Sequence, residues 1–262
     1  REIKIPTTLA NPVGVSTHLK ITCVIDGNGV QCWGGNNQYG EMDVPNLSHP
    51  VAVSAGALFA CAIDDNGVQC WGRNLNGETD VPTNLVNPVA LSAGAWHTCA
   101  IDDNGVQCWG NNGDGQTNIP TNQWNNSILV NPVVVSAGGW HTCAIDDNGV
   151  QCWGYNGDGQ TNVPTDLVNP VEVSAGERHT CAIDDNGVQC WGNSIYGQSN
   201  VPTNLVNPVA VSAVEHTCAL DDNGVHCWGQ NDVGQTEVLT SLMFDPDGDG
   251  ITNQNGLDPF PL

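Results

Sequence analysis

Apolar and polar positions alternate along the chain in short runs of period two, and the same run returns six times. Its clearest copy is His97-Thr98-Cys99-Ala100-Ile101-Asp102-Asp103-Asn104-Gly105-Val106-Gln107-Cys108-Trp109-Gly110. Close copies begin at His141, His179 and His216, and looser ones at Ile21 and Phe59. Two apolar runs around Asp-Asn-Gly predict a β-hairpin, because Asn and Gly tolerate the positive φ of a tight turn.

The cysteines set the register. With Asp102 to Gly105 as a four-residue loop, Ile101 faces Val106 and Cys99 faces Cys108. Opposed residues of an antiparallel pair hold their Cβ atoms ~4.5–5.5 Å apart, close to disulfide distance. All twelve cysteines fall in this pattern. The expected pairs are Cys23–Cys32, Cys61–Cys70, Cys99–Cys108, Cys143–Cys152, Cys181–Cys190 and Cys218–Cys227. Each closes a short loop, worth ~2–3 kcal/mol by the chain-entropy model. Zinc sites use tighter cysteine knuckles. Six disulfides imply an oxidising compartment, hence a secreted or cell-surface protein.

The first cysteines are 38, 38, 44, 38 and 37 residues apart, a period that marks a propeller, solenoid or array. One repeat runs from Val89-Ala90-Leu91-Ser92-Ala93-Gly94 through the hairpin and Asn111–Gln116 to Thr117-Asn118-Ile119-Pro120. That gives four strand candidates, the fourth ending at Pro, which belongs on an edge. Four antiparallel strands per repeat suggest a propeller blade. The expected fold is therefore all-β: six blades of about 38 residues, each with a stapled hairpin, or alternatively an incomplete seven-bladed ring.

The Ala-Gly-x-x-His corner, the Gly-Val hairpin exit, Trp-Gly-x-Asn and Gly-Gln-Thr-x-Val-Pro resemble the repeat of the regulator of chromosome condensation family. The short-repeat branch with the propeller-type β-lactamase inhibitor proteins is the more similar. The resemblance covers residues 6 to about 240 and implies a propeller. The paired cysteines are extra, and six repeats stand where those relatives have seven blades. Both Glu2-Ile3-Lys4-Ile5-Pro6 and Gln235-Thr236-Glu237-Val238-Leu239 align with a fourth strand, and one slot cannot hold both. One closes the ring; the other packs outside it, as an added edge strand, or pairs with a neighbouring molecule. Two repeats deviate: the third inserts residues 123–128, including Trp124, and the sixth lacks the corner Gly (Ala213-Val214-Glu215-His216).

Charge narrows the partners. Five Lys and Arg stand against 28 Asp and Glu, a net charge of −23. Nucleic-acid binding needs positive surface and is disfavoured. No apolar run approaches the ~20 residues of a membrane-spanning helix. A start at Arg1 fits a processed or excised product.

The propeller is assigned to 1–242 and a tail to 243–262, the opening of a longer segment. In the tail, Asp245, Asp247 and Asp249 alternate, with Gly250 at the sixth position for a sharp turn, the pattern of a calcium loop. It resembles a thrombospondin type 3 calcium repeat. By that resemblance Asp245, Asp247, Asp249, Asn253 and the Ile251 carbonyl bind calcium. Gly256 stands where the last acid belongs, and Asp258, two residues late, reaches the ion only through a bulge.

In a propeller, the Ala-Gly-x-x-His corners and the loops after Trp-Gly share one face, here called the corner face. The hairpin turns share the other, the turn face. Three residues before each first cysteine stand Lys20, Leu58, Trp96, Trp140, Arg178 and Glu215. After Trp-Gly stand Gly35, Arg73, Asn111, Tyr155, Asn193 and Gln230. Varied aromatic and Arg side chains on a repeated frame suit a binding face. The candidates are Lys20, Leu58, Arg73, Trp96, Trp140, Tyr155, Arg178 and Glu215, with Trp96, Trp140, Tyr155 and Arg178 expected as one partly exposed patch. On the turn face, eleven Asp side chains form an acidic rim, though Asp is an ordinary turn former. His97, His141, His179 and His216 share one blade position with Phe59 and Ile21, so packing outweighs metal binding there.

No nucleophile motif, phosphate loop or unpaired cysteine points to an enzyme. The leading reading is an extracellular module binding a protein or glycan through the corner face. The alternative is a subunit of a fibre or surface layer, self-assembling through a terminal strand. Inhibition of a β-lactamase and action on polysaccharides rank lower.

Overall fold

The repeated phrase forms a hairpin in every repeat. In the third, Cys99 pairs with Cys108, Ile101 with Val106 and Asp102 with Gly105. The ladder therefore runs one pair further than a four-residue loop allows. Only Asp103 and Asn104 form the turn, and the positive φ falls on Gly105, at 104°. All six expected disulfides are present, with Cα–Cα distances of 4.0–4.1 Å. The structure is a computed structural model that describes residues 8–121 and 128–238. Arg1 to Thr7, residues 122–127 with Trp124, and residues 239–262 with the tail lie outside the described residues.

Each repeat is one three-stranded antiparallel sheet in sequence order. Blade 1 is β1 (Gly14–His18), β2 (Ile21–Asp26) and β3 (Gly29–Gly34). Blade 2 is β4 (Ala52–Ala55), β5 (Phe59–Asp64) and β6 (Gly67–Gly72). Blade 3 is β7 (Ala90–Ala93), β8 (His97–Asp102) and β9 (Gly105–Gly110). Blade 4 is β10 (Val134–Ala137), β11 (His141–Asp146) and β12 (Gly149–Gly154). Blade 5 is β13 (Glu172–Ala175), β14 (His179–Asp184) and β15 (Gly187–Gly192). Blade 6 is β16 (Ala210–Ala213), β17 (His216–Asp221) and β18 (Gly224–Gly229).

The expected fourth strand is not formed among the described residues. Asn side chains satisfy that segment's backbone locally instead, which competes with a ladder. Asn112 accepts from Thr117 N and donates to Asn118, whose N–H bonds Gly115 O.

The core lies between blades. The disulfide side of each blade packs on the first strand and the Trp of the next. Between blades 4 and 5, Cys143, Ile145 and Val150 meet Val173, Ala175, Ala182 and Trp191. Between blades 1 and 2, Ile21 and Cys23 meet Ala55, Ala60, Ala62 and Trp71, with Val44 and Leu47 of the connecting segment.

Polar bonds fix the same joint. The main-chain carbonyl of Glu78 accepts from Thr98 Oγ1 at 3.0 Å and Trp109 Nε1 at 2.9 Å, both in the following blade. Gln116 O serves Thr142 and Trp153, Gln160 O serves Thr180 and Trp191, and Gln198 O serves Thr217 and Trp228. Glu41 O takes Trp71 alone, because Ala60 replaces the Thr. Nearer the axis, Ser16, Ser54, Ser92, Ser136 and Ser174 each accept through Oγ from an Ala N–H of the next blade. The blades crowd there: a Cβ on Gly176 would lie 2.8 Å from Val214 O of the next blade. Only glycine fits such an approach.

First strands of successive blades pack from blade 1 through blade 6, while blades 6 and 1 make no comparable contact. Among the described residues, the six blades thus form an arc with two uncovered ends. Leu220 on the disulfide side of blade 6 is 38% exposed, whereas its counterpart Ile183 is 4% exposed.

Thr142 is fully buried and bonds both Gln116 O and His97. Thr142→Val should cost about 1–3 kcal/mol, since it strands a buried His donor. Denaturant titration checks this.

Candidate binding face

In blades 2 to 5 the candidate residues are delivered to the corner face by the same two local structures. The corner Gly turns the first strand into the second, and the Trp-Gly pair releases the third into an Asn- and Gly-rich loop. Their backbones are tied together: Asn111 N bonds Trp96 O, Tyr155 N bonds Trp140 O, and Arg73 N bonds Leu58 O.

The side chains run along the arc. The Arg73 guanidinium lies 4.1 Å over the Trp96 ring, within cation–π range. The Trp96 and Trp140 ring centroids are 5.8 Å apart and tilted 36°. Trp140, Tyr155, Arg178 and Asp114 line a cavity of about 230 Å³. Arg178 reaches Asp158 at 3.4 Å, and Asn193 donates to the other Asp158 oxygen at 2.9 Å. Trp96, Trp140 and Tyr155 are half-buried and Arg178 is exposed.

The other candidates stand apart. Arg73 is buried beneath the surface, 3.6 Å from the fully buried Glu78 carboxylate. It is a support for Trp96 rather than an open contact. Lys20 and Leu58 line a separate cavity of about 690 Å³ on blade 1. Glu215 lies with Glu177, Arg178, Ile195 and Tyr196 around a third, of about 280 Å³, between blades 5 and 6. Burial, reinforced by Glu215, pushes the Glu177 carboxyl up. Sequence reasoning named neither Glu177 nor the exposed Ile195 and Tyr196; their departure from the Asn-Gly-Asp-Gly loop of blades 3 and 4 was the available signal.

All the described Lys and Arg residues, Lys20, Arg73 and Arg178, stand on this face. Among the described residues, the turn face offers no matching set of free groups. Asp102 accepts from Val86 N, Asn104 N and Gln107 Nε2, each at 2.8 Å. Asp103 accepts from Asn87 Nδ2 at 2.7 Å, and Asn87 holds a positive φ of 49°. Blades 4 to 6 repeat both backbone bonds to the first Asp and the Asn bond to the second, while Gln189 repeats the Gln107 bond in blade 5 and His226 takes its place in blade 6. In blade 2, His49 replaces the Asn, and its bond to Asp65 raises the His49 pKa. The rim carboxylates therefore fasten each turn to the segment entering the blade.

The histidines are fasteners too. His97 Nε2 meets Thr142 Oγ1 at 2.7 Å, His141 meets Thr180 at 2.9 Å and His179 meets Thr217 at 2.7 Å. Each Thr hydroxyl gives its proton to a latch carbonyl, so the imidazole Nε2 must donate. Among the described residues no group of three or more His, Cys, Asp or Glu is arranged to hold a metal ion.

The Regulator of chromosome condensation (RCC1) repeat matches at residues 51–78, 89–116, 133–160, 171–198 and 209–235, more than half the chain. The chain belongs to this repeat family. No curated protein matches. Among solved structures, the CRINKLY WD40 ectodomain of the Arabidopsis thaliana receptor kinase ACR4 is 25% identical with a TM-score of 0.65, covering 83% of this chain and 79% of that one. The ectodomain of the Physcomitrella patens receptor kinase CR4 is 23% identical with a TM-score of 0.68, covering 85% and 65%. The present chain thus spans just under two thirds of that ectodomain. Prp20p of Saccharomyces cerevisiae is 19% identical with a TM-score of 0.71, covering 84% and 72%. The likeness to the moss and yeast proteins bears on the propeller fold alone.

Burial lowers the His97 and His141 pKa values to about 3 and those of His18 and His179 to about 4. The unfolded rings titrate near 6.5. Below that pH the unfolded chain binds protons that the folded rings refuse. Stability is therefore complete above pH ~6.5 and falls toward pH 3–4, by up to ~1.4 kcal/mol per pH unit for each ring. His141→Phe, which gives blade 4 the residue that blade 2 carries at Phe59, should flatten the decline in urea midpoint between pH 7 and 4.5. Equal slopes in the two proteins would refute this.

Proposed function

We propose that this propeller is an extracellular protein-binding module whose contact surface is the corner face at blades 3 to 5. The Trp96–Trp140 pair beside the Tyr155, Arg178 and Asp114 cavity carries the reading. Half-buried aromatics and Arg dominate binding hot spots. Arg73 and Glu78 hold Trp96 from below, so little side-chain freedom is lost on binding. The six disulfides favour an oxidising compartment. The likeness to the ectodomain of the Arabidopsis thaliana receptor kinase ACR4 supports the same placement. Among the described residues no helix is long and apolar enough to cross a membrane.

Catalysis has little support on this face. The Asp158 carboxylate, next to the aromatic patch, is taken up by Arg178 and Asn193. The cavity at Trp140 holds no nucleophile with an adjacent base.

Calcium belongs to the tail in this proposal. Asp245, Asp247 and Asp249 supply three carboxylates at alternate positions, the hard oxygen donors calcium prefers. Asn253 and the Ile251 carbonyl complete the set, with Asp258 in place of the acid missing at Gly256.

Captured partners from the protein's extracellular surroundings, titrated against the purified chain, test the face. Trp96→Ala and Trp140→Ala should each weaken binding at least tenfold at unchanged melting temperature. Unaltered affinity in both would remove the assignment, and binding confined to a glycan array would replace the protein partner with a sugar. For the tail, calorimetry should show calcium uptake that vanishes on Asp247→Asn with Asp249→Asn.

A further inference from the structure

Among the described residues, blade 1 does not make the joint that every other blade makes with its predecessor. In blades 2 to 6 a Trp indole donates to the main-chain carbonyl of a buried Glu or Gln, and in blades 3 to 6 a Thr hydroxyl joins it. The corresponding groups of blade 1 are Thr22 Oγ1 and Trp33 Nε1. Both residues are half-buried and line the 690 Å³ cavity with Gly34 and Gly35. In blades 3 and 5 the glycine after the Trp backs onto the Cα of the latch residue, Glu78 or Gln160. Among the described residues, the atoms nearest a Cβ on Gly34 belong to Lys20 and Ile21 of its own blade. Among the described residues, no segment takes the latch position at this cavity.

The occupant is written in the spacing. In blade 3 the Thr follows its latch residue by 20 positions and the Trp by 31. Blade 5 keeps both separations. Counting back 20 from Thr22 and 31 from Trp33 gives the same residue, Glu2. It is a Glu, as at 41 and 78. Ile5-Pro6 follows it at the offset of Val81-Pro82 and Val44-Pro45, and Val44 packs into the joint of blades 1 and 2.

The rival segment, Gln235 to Val238, sits on blade 6. For a second copy to offer it, blade 6 would have to pack against blade 1 of its neighbour. Val214 opposes that packing. It makes the corner bond of Gly176, with its N–H on the His216 carbonyl, yet it carries a side chain where the inner blades need glycine. A Cβ at that corner would strike the next blade's carbonyl.

We propose that residues 1–6 of this same chain dock in the blade 1 cavity, with the Glu2 carbonyl accepting from Thr22 Oγ1 and Trp33 Nε1. Docking there covers Trp33 and fills the space beside Lys20 and Leu58. That leaves the patch at blades 3 to 5 as the open part of the corner face.

Hydrogen exchange of the indole N–H groups in the full chain tests this, with the Trp33 signal assigned through Trp33→Phe. Trp33 should exchange within about threefold of Trp71, whose indole is latched by Glu41. Removal of residues 1–6 should speed Trp33 at least 100-fold and leave Trp71 and Trp109 unchanged, which also shows that the trimmed chain stays folded. Fast exchange of Trp33 in the full chain would overturn the proposal. So would slow exchange that survives the trimming, or protection that rises with protein concentration and thereby identifies a second copy as the occupant.

Discussion

One main-chain carbonyl per repeat holds the arc together. It belongs to the Glu or Gln that ends a Gly-rich loop, and it receives the next blade's Trp indole and, in most repeats, its Thr hydroxyl. Three-stranded sheets as small as these have little core of their own. Each must bury its disulfide side against a neighbour, and the carbonyl decides at what position. The bonds sit in the apolar layer between blades, where an unpaired donor costs more than a paired one gains. Blade spacing is therefore fixed by polar satisfaction, and the apolar contacts fill the spacing so defined.

This arrangement divides labour within the repeat. The disulfide closes each hairpin within itself, joining residues nine apart without help from a neighbouring blade. The first Asp of each turn then clamps the segment entering the blade, through Val86 N in the third repeat. Staple, clamp and latch use different residues and act at successive ranges along the chain. Stability is then a sum of nearest-neighbour joints, as in other repeat proteins. Among the described residues, the sum is incomplete at the two ends of the arc, marked by exposed Leu220 and half-buried Trp33.

Much of this was legible because local signals agree in every copy. Period-two alternation and the cysteine spacing gave the hairpin and its register. The period near 38 gave the blades, and the Trp-Gly loops gave the residues of the corner face. The fourth strand was misread. Val-Pro after a polar run looks like an edge strand, but Asn112 and Asn118 bond that segment to itself. The latch was not seen either, because it is a main-chain group whose partners lie 20 and 31 residues away. Nor does the burial of Arg73 follow from its own neighbours in sequence. It is set by Glu78 beside it and Trp96 in the next blade. Contacts across a joint are the part of the fold that a single repeat cannot reveal.

The division also explains why variation gathers on one face. On the turn face, both Asp residues and the Asn before Pro are committed to clamps, so a change there loosens a blade. On the corner face, the His, the corner Gly and the latch residue are committed in the same way. The residue just before the His is tied to the frame by its backbone, as in Trp96 O accepting from Asn111 N. After Trp-Gly the side chain is committed in blades 2, 3 and 5, where Arg73 faces Glu78 and Asn111 and Asn193 accept from Gln116 and Gln198. Trp96, Trp140 and Arg178 stand at the first position, and Tyr155 lines the cavity from the second. Binding chemistry can change there from blade to blade at little cost to the joints, which is the condition for a recognition surface on a repeated scaffold.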